Sequence, residues 1–171
     1  MPTNLELKAR FSSPLNAQRI ARGLHARRIG ILKQRDVYYC VPKGRVKLRT
    51  VVSGKSELIV YRRADARSSR YSDYLVIPLS APKTTNQLCT TLFGVLVEVR
   101  KTRLLYLYEN ARIHIDKVEG LGSFVEFEVI VQRGKQQARL LMKKLIEAFK
   151  ISPDNILGVS YSDLLLKKKP R

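Results

Sequence analysis

Charged residues recur at every second position along several short runs of this chain, of one sign in some runs and of both signs in others. Lys47 and Arg49 share one face of 45–49, Glu126 and Glu128 share a face of another run, and Glu6 and Lys8 share a third. Arg112, His114 and Asp116 fall together on a fourth. Side chains alternate across a strand, so each run has one apolar and one ionic face. If the ionic faces meet in one cavity, it holds cations and carboxylates together, and its natural occupant is a phosphate chain with a divalent metal. Oxygen ligands suit Mg2+ or Mn2+, and Mg2+ takes one or two carboxylates plus phosphate oxygens and water. Glu126 and Glu128 can reach a common ion, joined by Asp116 from the preceding strand and Glu6 from the first. Lys47, Arg49, Lys101 and Arg103 supply the opposite charge: arginine as a planar fork, lysine as a point charge. Such groups bind a triphosphate and offset the charge that develops during P–O cleavage. The same residues also read as strand-face charges that pair with one another, or as a solvated basic surface. Spacing alone leaves both readings open. Only two histidines are present, so no zinc-type arrangement exists. His25 reads as a helix-surface residue, and His114 as a packed or solvated one, at most supporting the site from behind.

The bulk numbers bound the rest. A chain of 171 residues, 44% hydrophobic, fits one domain with a core. With 33 Lys+Arg against 14 Asp+Glu the net charge is +19, which favours polyanionic partners: nucleotides, polyphosphates, nucleic acid or an acidic membrane face. Cys40 and Cys89 do not form a secreted disulfide framework, so a reducing, cytoplasmic setting is expected. The early charges Glu6, Lys8 and Arg10 do not read as a signal peptide. No apolar run approaches the ~20 residues of a membrane span, so the expectation is a soluble protein without a membrane partner.

The elements that must position these residues are mostly strands. Residues 3–11 read as the first strand, and Ser12-Ser13-Pro14 as a helix start, with a helix over 14–29. Strands follow at 31–41, 45–52, 57–63 and 71–79, with Ser53-Gly54 as a turn and 64–70 as a polar connection. A short helix is expected over 84–93, stopped by Gly94. Strands at 95–103, 104–109, 111–118 and 123–131 form a meander, and 136–149 reads as a helix. A short apolar piece at 161–166 precedes a basic tail, 167–171. About eight strands with few helices predict an α+β fold, an antiparallel eight-stranded closed barrel with flanking helices. Residues 1–166 form one domain in this reading.

The ordered motifs resemble the CYTH superfamily of triphosphate tunnel metalloenzymes, which includes class IV adenylate cyclases and thiamine and inorganic triphosphatases. Asn4-Leu5-Glu6-Leu7-Lys8 is similar to the family's Glu-x-Glu-x-Lys signature. Gln34-x-Asp36-Val37-Tyr38-Tyr39, Arg45-Val46-Lys47-Leu48-Arg49, Tyr61-Arg62-Arg63 and Arg100-Lys101-Thr102-Arg103 follow in the expected order. Arg112-Ile113-His114-Ile115-Asp116, then Glu126-Phe127-Glu128 and Tyr161-x-Asp163-Leu164-Leu165, complete the series. The resemblance implies a closed tunnel that accepts a triphosphate. It implies Glu6, Asp116, Glu126 and Glu128 as ligands of Mg2+ or Mn2+, and Lys8, Lys47, Arg49, Lys101, Arg103 and Arg112 as phosphate-binding groups. A further cation is implied at the end of the Tyr61 strand, where strand parity favours Arg63 and leaves Arg62 open. It also implies a catalytic tyrosine, Tyr39 or Tyr38, beside the attacking water, although either also reads as packing on the barrel.

One signature position departs: Asn4 stands where catalytic members commonly carry Glu. A neutral amide oxygen in place of a carboxylate weakens a cation site. Three functions follow as expectations. The first is a metal-dependent phosphohydrolase acting on inorganic triphosphate, a nucleoside triphosphate or thiamine triphosphate. The second is a class IV adenylate cyclase. The third is a non-catalytic binder of polyphosphate, nucleotide or RNA. Nucleic acid could be held through the basic surface or tail, which also resembles a nuclear signal.

Overall fold

The computed structural model describes residues 3–52, 54–63, 68–132 and 134–168. Its strands are β1 (Thr3–Arg10), β2 (Arg27–Tyr39), β3 (Arg45–Val51), β4 (Ser56–Arg63), β5 (Arg70–Leu79), β6 (Val95–Tyr108), β7 (Ala111–Val118) and β8 (Gly122–Ile130). The helices are α1 (Pro14–Gly23), α2 (Pro82–Phe93), α3 (Lys135–Ala148) and α4 (Tyr161–Lys168), with a 3-10 turn at Pro153–Asn155. The strands close into an antiparallel barrel in the order β1-β5-β4-β3-β2-β6-β7-β8. The α+β barrel expected from the alternation is therefore the fold.

Local chemistry sets the element ends. Ser13 caps α1, its hydroxyl accepting from the Asn16 amide at 3.2 Å, and Pro14 fills the first turn where no donor is needed. The helix expected over 14–29 ends at Gly23. His25 adopts a left-handed φ of 57°, and Ile29, which falls at helical spacing, already belongs to β2, so the strand expected from 31 begins at Arg27. The two strands expected at 95–103 and 104–109 are one 14-residue strand, β6. Gly94 stops α2 with a φ of 71°, a conformation glycine adopts without steric cost. Of the turn and connection read at 53–54 and 64–70, residues 53 and 64–67 lie outside the described residues, as does 169–171 of the tail.

The apolar faces of this barrel point outward and the ionic faces inward. Leu5, Leu7, Ile113, Ile115, Val125, Phe127 and Val129 form the main core with Leu141, Met142, Leu145 and Phe149 of α3 and Ala17 and Ala21 of α1. On the other side α2 lays Cys89 on Val37, Tyr39 and Leu48. The third cluster lies at one end of the barrel: Tyr38, Ile59, Tyr61, Val97, Val99, Val118 and Phe124 surround Tyr161, with Leu164, Leu165 and Leu166 of α4 against them. So α4 is set into one mouth. The segment before it completes the wall. β5 reaches only as far as Glu6 on β1; beyond, the Leu157 amide donates to the Lys8 carbonyl and Ile156 bridges Ala9.

Candidate functional site

Register brings the charged runs together. Lys8 stands opposite Glu126, and Glu6 opposite Glu128, across β1 and β8. His114 and Arg112 continue these two rows on β7. Asp116 faces Arg103 across β7 and β6. Asp36 and Tyr38 lie beside Arg49 and Lys47 across β2 and β3. The faces enclose a cavity of about 340 Å³ whose wall carries six cations, Lys8, Lys47, Arg49, Lys101, Arg103 and Arg112. Four carboxylates, Glu6, Glu57, Glu126 and Glu128, share that wall. Asp36 and Asp116, both almost wholly buried, stand behind it.

Two networks organise these charges. In the first, Asp36 accepts a two-pronged pair from Arg49 at 2.8 and 2.9 Å, Lys101 at 2.8 Å and Lys47 at 3.4 Å. Burial pushes the Asp36 carboxyl up, but Arg49, Lys101 and Lys47 overcome it and hold the group well below the usual carboxylate range. Burial, then the neighbouring Arg103, Arg49 and Lys47, brings Lys101 down to about 7, against the pull of Asp36. In the second network, Arg103 grips Asp116 at 2.7 Å through both oxygens and reaches Glu126 at 2.6 Å. Asp116 also accepts from the Tyr161 hydroxyl at 2.9 Å, and despite burial Arg103 holds its carboxyl down to about 2. Lys8 pairs with Glu126 and lies 4.0 Å over the Tyr161 ring. Tyr161 itself is fixed by a reciprocal cap: the Ser160 amide donates to Asp163 at 2.9 Å, and the Asp163 amide donates to the Ser160 hydroxyl at 3.2 Å. Arg45 adds a 2.8 Å bond to Asp163.

The sequence-derived candidates separate by position. Glu6, Glu126, Glu128, Tyr38 and the six wall cations line the cavity. Asp116 does not line it; Arg103 and Tyr161 cover it. Tyr39 is on the opposite face of β2, where its hydroxyl donates to Asn86 of α2 at 2.9 Å. Burial pushes the Tyr39 phenol up to about 12. Tyr38 stays on the cavity side, and burial with the Asp36 charge pushes its phenol above the tyrosine range. Arg62 is exposed on the outer side of β4, while the Arg63 side chain lies outside the described residues.

Several residues were missed. Asp36 had been noted only as part of a motif, yet it anchors three cations. Glu57 lines the wall on the Ile59 and Tyr61 side of β4, and its parity with Tyr61 was the available signal. The Ser160-x-x-Asp163 spacing was the signal for the cap under Tyr161. His114, read as a packed residue supporting the site from behind, is buried behind the cavity wall and does not line it. Its Nδ1 lies 3.6 Å from Glu126 and 3.7 Å from Glu128, is buried, and has no hydrogen-bond partner among the described residues. Burial, then Arg103, lowers its pKa, so the ring is neutral at pH 7. One ligand atom each from His114, Glu126 and Glu128 lies within 4.8 Å of the others. The carbonyl oxygen of Asn4, also in the wall, is buried without a partner among the described residues. An oxygen-rich group with one neutral imidazole nitrogen suits a divalent cation.

The closed barrel thus encloses a lumen where cations from four strands meet a group of carboxylates. Residues 2–157 match the CYTH domain, and the chain belongs to that family. It is 38% identical over 74 residues to a Methanocaldococcus jannaschii protein, MJ0240, whose name gives adenylate cyclase as a provisional assignment. That match spans 42% of this chain and 42% of the relative, less than half the length of each. The fold is similar to PH1012 from Pyrococcus horikoshii, with a TM-score of 0.85 and 23% identity, over 94% of this chain and 98% of that one. It is also similar to HpAC1 from Hippeastrum, described as a provisional adenylyl cyclase with a dominant triphosphatase activity: TM-score 0.71, 14% identity, over 100% and 98% of the two chains. No helix among the described residues is long and apolar enough to cross a membrane.

Proposed function

We propose that the protein is a Mg2+- or Mn2+-dependent phosphohydrolase acting on a triphosphate held in the barrel. The observation that carries this reading is a 340 Å³ cavity lined by six cations together with Glu6, Glu126 and Glu128, with the buried His114 ring beside the last two. Charge balance supports a metal requirement. The six wall cations are matched by Glu6, Glu57, Glu126, Glu128, Asp36 and Asp116, so the unliganded site is self-neutralised. A polyanion enters such a site favourably when a divalent cation enters with it.

Glu126, Glu128 and His114, with Glu6 opposite Glu128, would hold that cation. Bound there, it would neutralise phosphate oxygens and lower the barrier to water attack on the phosphorus. Lys8 and Arg103, bonded to Glu126, would be positioned to reach phosphate oxygens once the carboxylates held a cation. Lys47 and Arg49 on β3 hold the phosphate chain from the opposite wall, and Lys101 and Arg112 add further cations between the two. The high pKa of Tyr38 keeps its phenol protonated, so it orients the attacking water as a donor and does not act as its base. Water oxygen bonds to the terminal phosphorus in line as the bridging P–O bond breaks, and the electron pair leaves on the departing phosphate oxygen. The water proton passes to a wall carboxylate or to solvent.

Adenylate cyclase activity is the second reading, favoured by the name of the M. jannaschii relative; there the ribose 3′-hydroxyl attacks the alpha phosphorus. Binding without turnover is the third, since Asn4 supplies no charge. Incubation with tripolyphosphate, ATP and thiamine triphosphate, with and without Mg2+ or Mn2+, tests all three by chromatography of released phosphate and cyclic nucleotide. Metal-dependent orthophosphate release that disappears in Glu126→Gln is the expected result. Cyclic AMP with pyrophosphate, or no product at all, would overturn it. The net charge of +19 lies outside the balanced cavity, which supports nucleic acid as an additional surface partner.

A further inference from the structure

Residues 74–97 contain one charged side chain, Lys83, in a chain that is 27% charged. The same stretch holds eight of the thirteen large apolar residues exposed among the described residues: Leu75, Val76, Ile77, Leu88, Leu92, Phe93, Val95 and Leu96. Val76 faces the cavity; the others do not line it. They run from β5 along α2 to the start of β6. Leu88 and Leu92, 57% and 63% exposed, lie one helical turn apart on α2, whose Cys89 is the side chain that seats it on the barrel.

A cluster of this kind marks an interaction surface. We propose that it is an isologous contact with a second copy of this chain. The argument is one of charge. Net charge of +19 makes two copies repel through almost any other approach, because the cavity carboxylates neutralise only the cavity. The stretch 74–97 is where two copies can touch without opposing like charges. A two-fold contact lays each patch on its own equivalent, so apolar side chains meet apolar side chains. An acidic partner would be drawn to the basic surfaces and would leave this one bare. Seven half-exposed apolar residues, with Thr84, Gln87, Thr90 and Thr91 between them, supply area on the order of the ~800 Å² per partner that a standard interface buries.

The contact has a salt signature. Screening relieves repulsion between the basic bodies and leaves the apolar contact intact, so added salt tightens the dimer. Assemblies held by opposite charges loosen instead. Sedimentation velocity over a range of protein concentration, at 50 and 500 mM NaCl, reads this directly. The expected result is a monomer–dimer equilibrium with a Kd at least threefold lower at high salt. Leu88→Glu with Leu92→Glu should yield monomer at every concentration, and Leu75→Lys on β5 should weaken the dimer independently. Leu15→Glu, 78% exposed on α1, should leave it unchanged. A wild-type monomer at all concentrations overturns the proposal, as does a dimer that salt dissolves or that survives the α2 and β5 substitutions. A monomer that partitions onto phosphatidylcholine vesicles through this face would assign it to lipid and also overturn the proposal.

Discussion

Asp36→Asn is the most exposing test of how the cavity is held. The carboxylate is wholly buried and is shared by Arg49, Lys101 and Lys47. An amide of the same shape keeps two polar atoms but no charge, leaving three cations crowded without their anion. Removing one partner from a buried charged network costs about 3–5 kcal/mol. For a chain of this size each kcal/mol lowers Tm by about 2–4 °C, so the variant should melt roughly 6–20 °C below wild type. Its pH behaviour is also fixed. A carboxyl depressed in the folded state stabilises above its unfolded pKa and loses that effect as pH falls through the folded value. The gap between variant and wild type should therefore be full at pH 7, narrow below about pH 4 and close in stronger acid. Tripolyphosphate supplies the missing negative charge, so the Tm rise it causes should be larger in the variant. Scanning calorimetry with and without tripolyphosphate reads all three effects. A variant melting within about 2 °C of wild type at pH 7 would refute the idea that Asp36 ties β2, β3 and β6 together.

Other outcomes follow from the same geometry. Tripolyphosphate should bind more tightly than pyrophosphate in calorimetry at fixed salt, because cations on four strands engage successive phosphates; equal affinities would point to diffuse surface attraction. Asn4→Glu adds a carboxylate where a buried amide oxygen has no partner, so the divalent-cation concentration for half-maximal activity should fall. An unchanged metal titration would show that Asn4 does not limit the site. Lys101, brought down to about 7, loses its charge as pH rises through neutrality. Tripolyphosphate affinity should then drop between pH 6 and 8.5 in wild type and drop less in Lys101→Arg, which keeps its charge; identical profiles would remove Lys101 from phosphate binding.

The barrel was legible because alternation survives in the sequence: Arg45-Val46-Lys47-Leu48-Arg49 states which side of β3 faces the lumen. The helix ends were less so. Ile29 fits a helical stripe and a strand equally well, and only the pairing of β2 with β6 settles it. β6 read as two strands because Leu104 and Leu105 break its alternation, although its ladder continues from Val95 to Leu107. Within the site, parity put Glu126 with Glu128 and Lys47 with Arg49, but not the partners. Whether Asp116 faces an ion or an arginine depends on register with β6, which no local pattern carries. The neighbours of His114 were hidden for a related reason: Glu126 and Glu128 come from another strand.

The closure beside Lys8 bears on how the protein comes to work at all. β1 is paired to β8, more than a hundred residues away in sequence, and to residues 156–157 still farther along. The side chains of Lys8, Glu126 and Tyr161 meet only after those pairings form. High sequence separation between contacting segments slows folding, because loop-closure entropy is lost before the contacts return it. No fragment holds part of the site under this wiring: a chain cut after β5 keeps Lys47, Arg49 and Asp36 yet lacks Glu126, Glu128 and Tyr161. Chemical competence should therefore appear in one step with the last barrel closure, lagging behind the secondary structure during refolding.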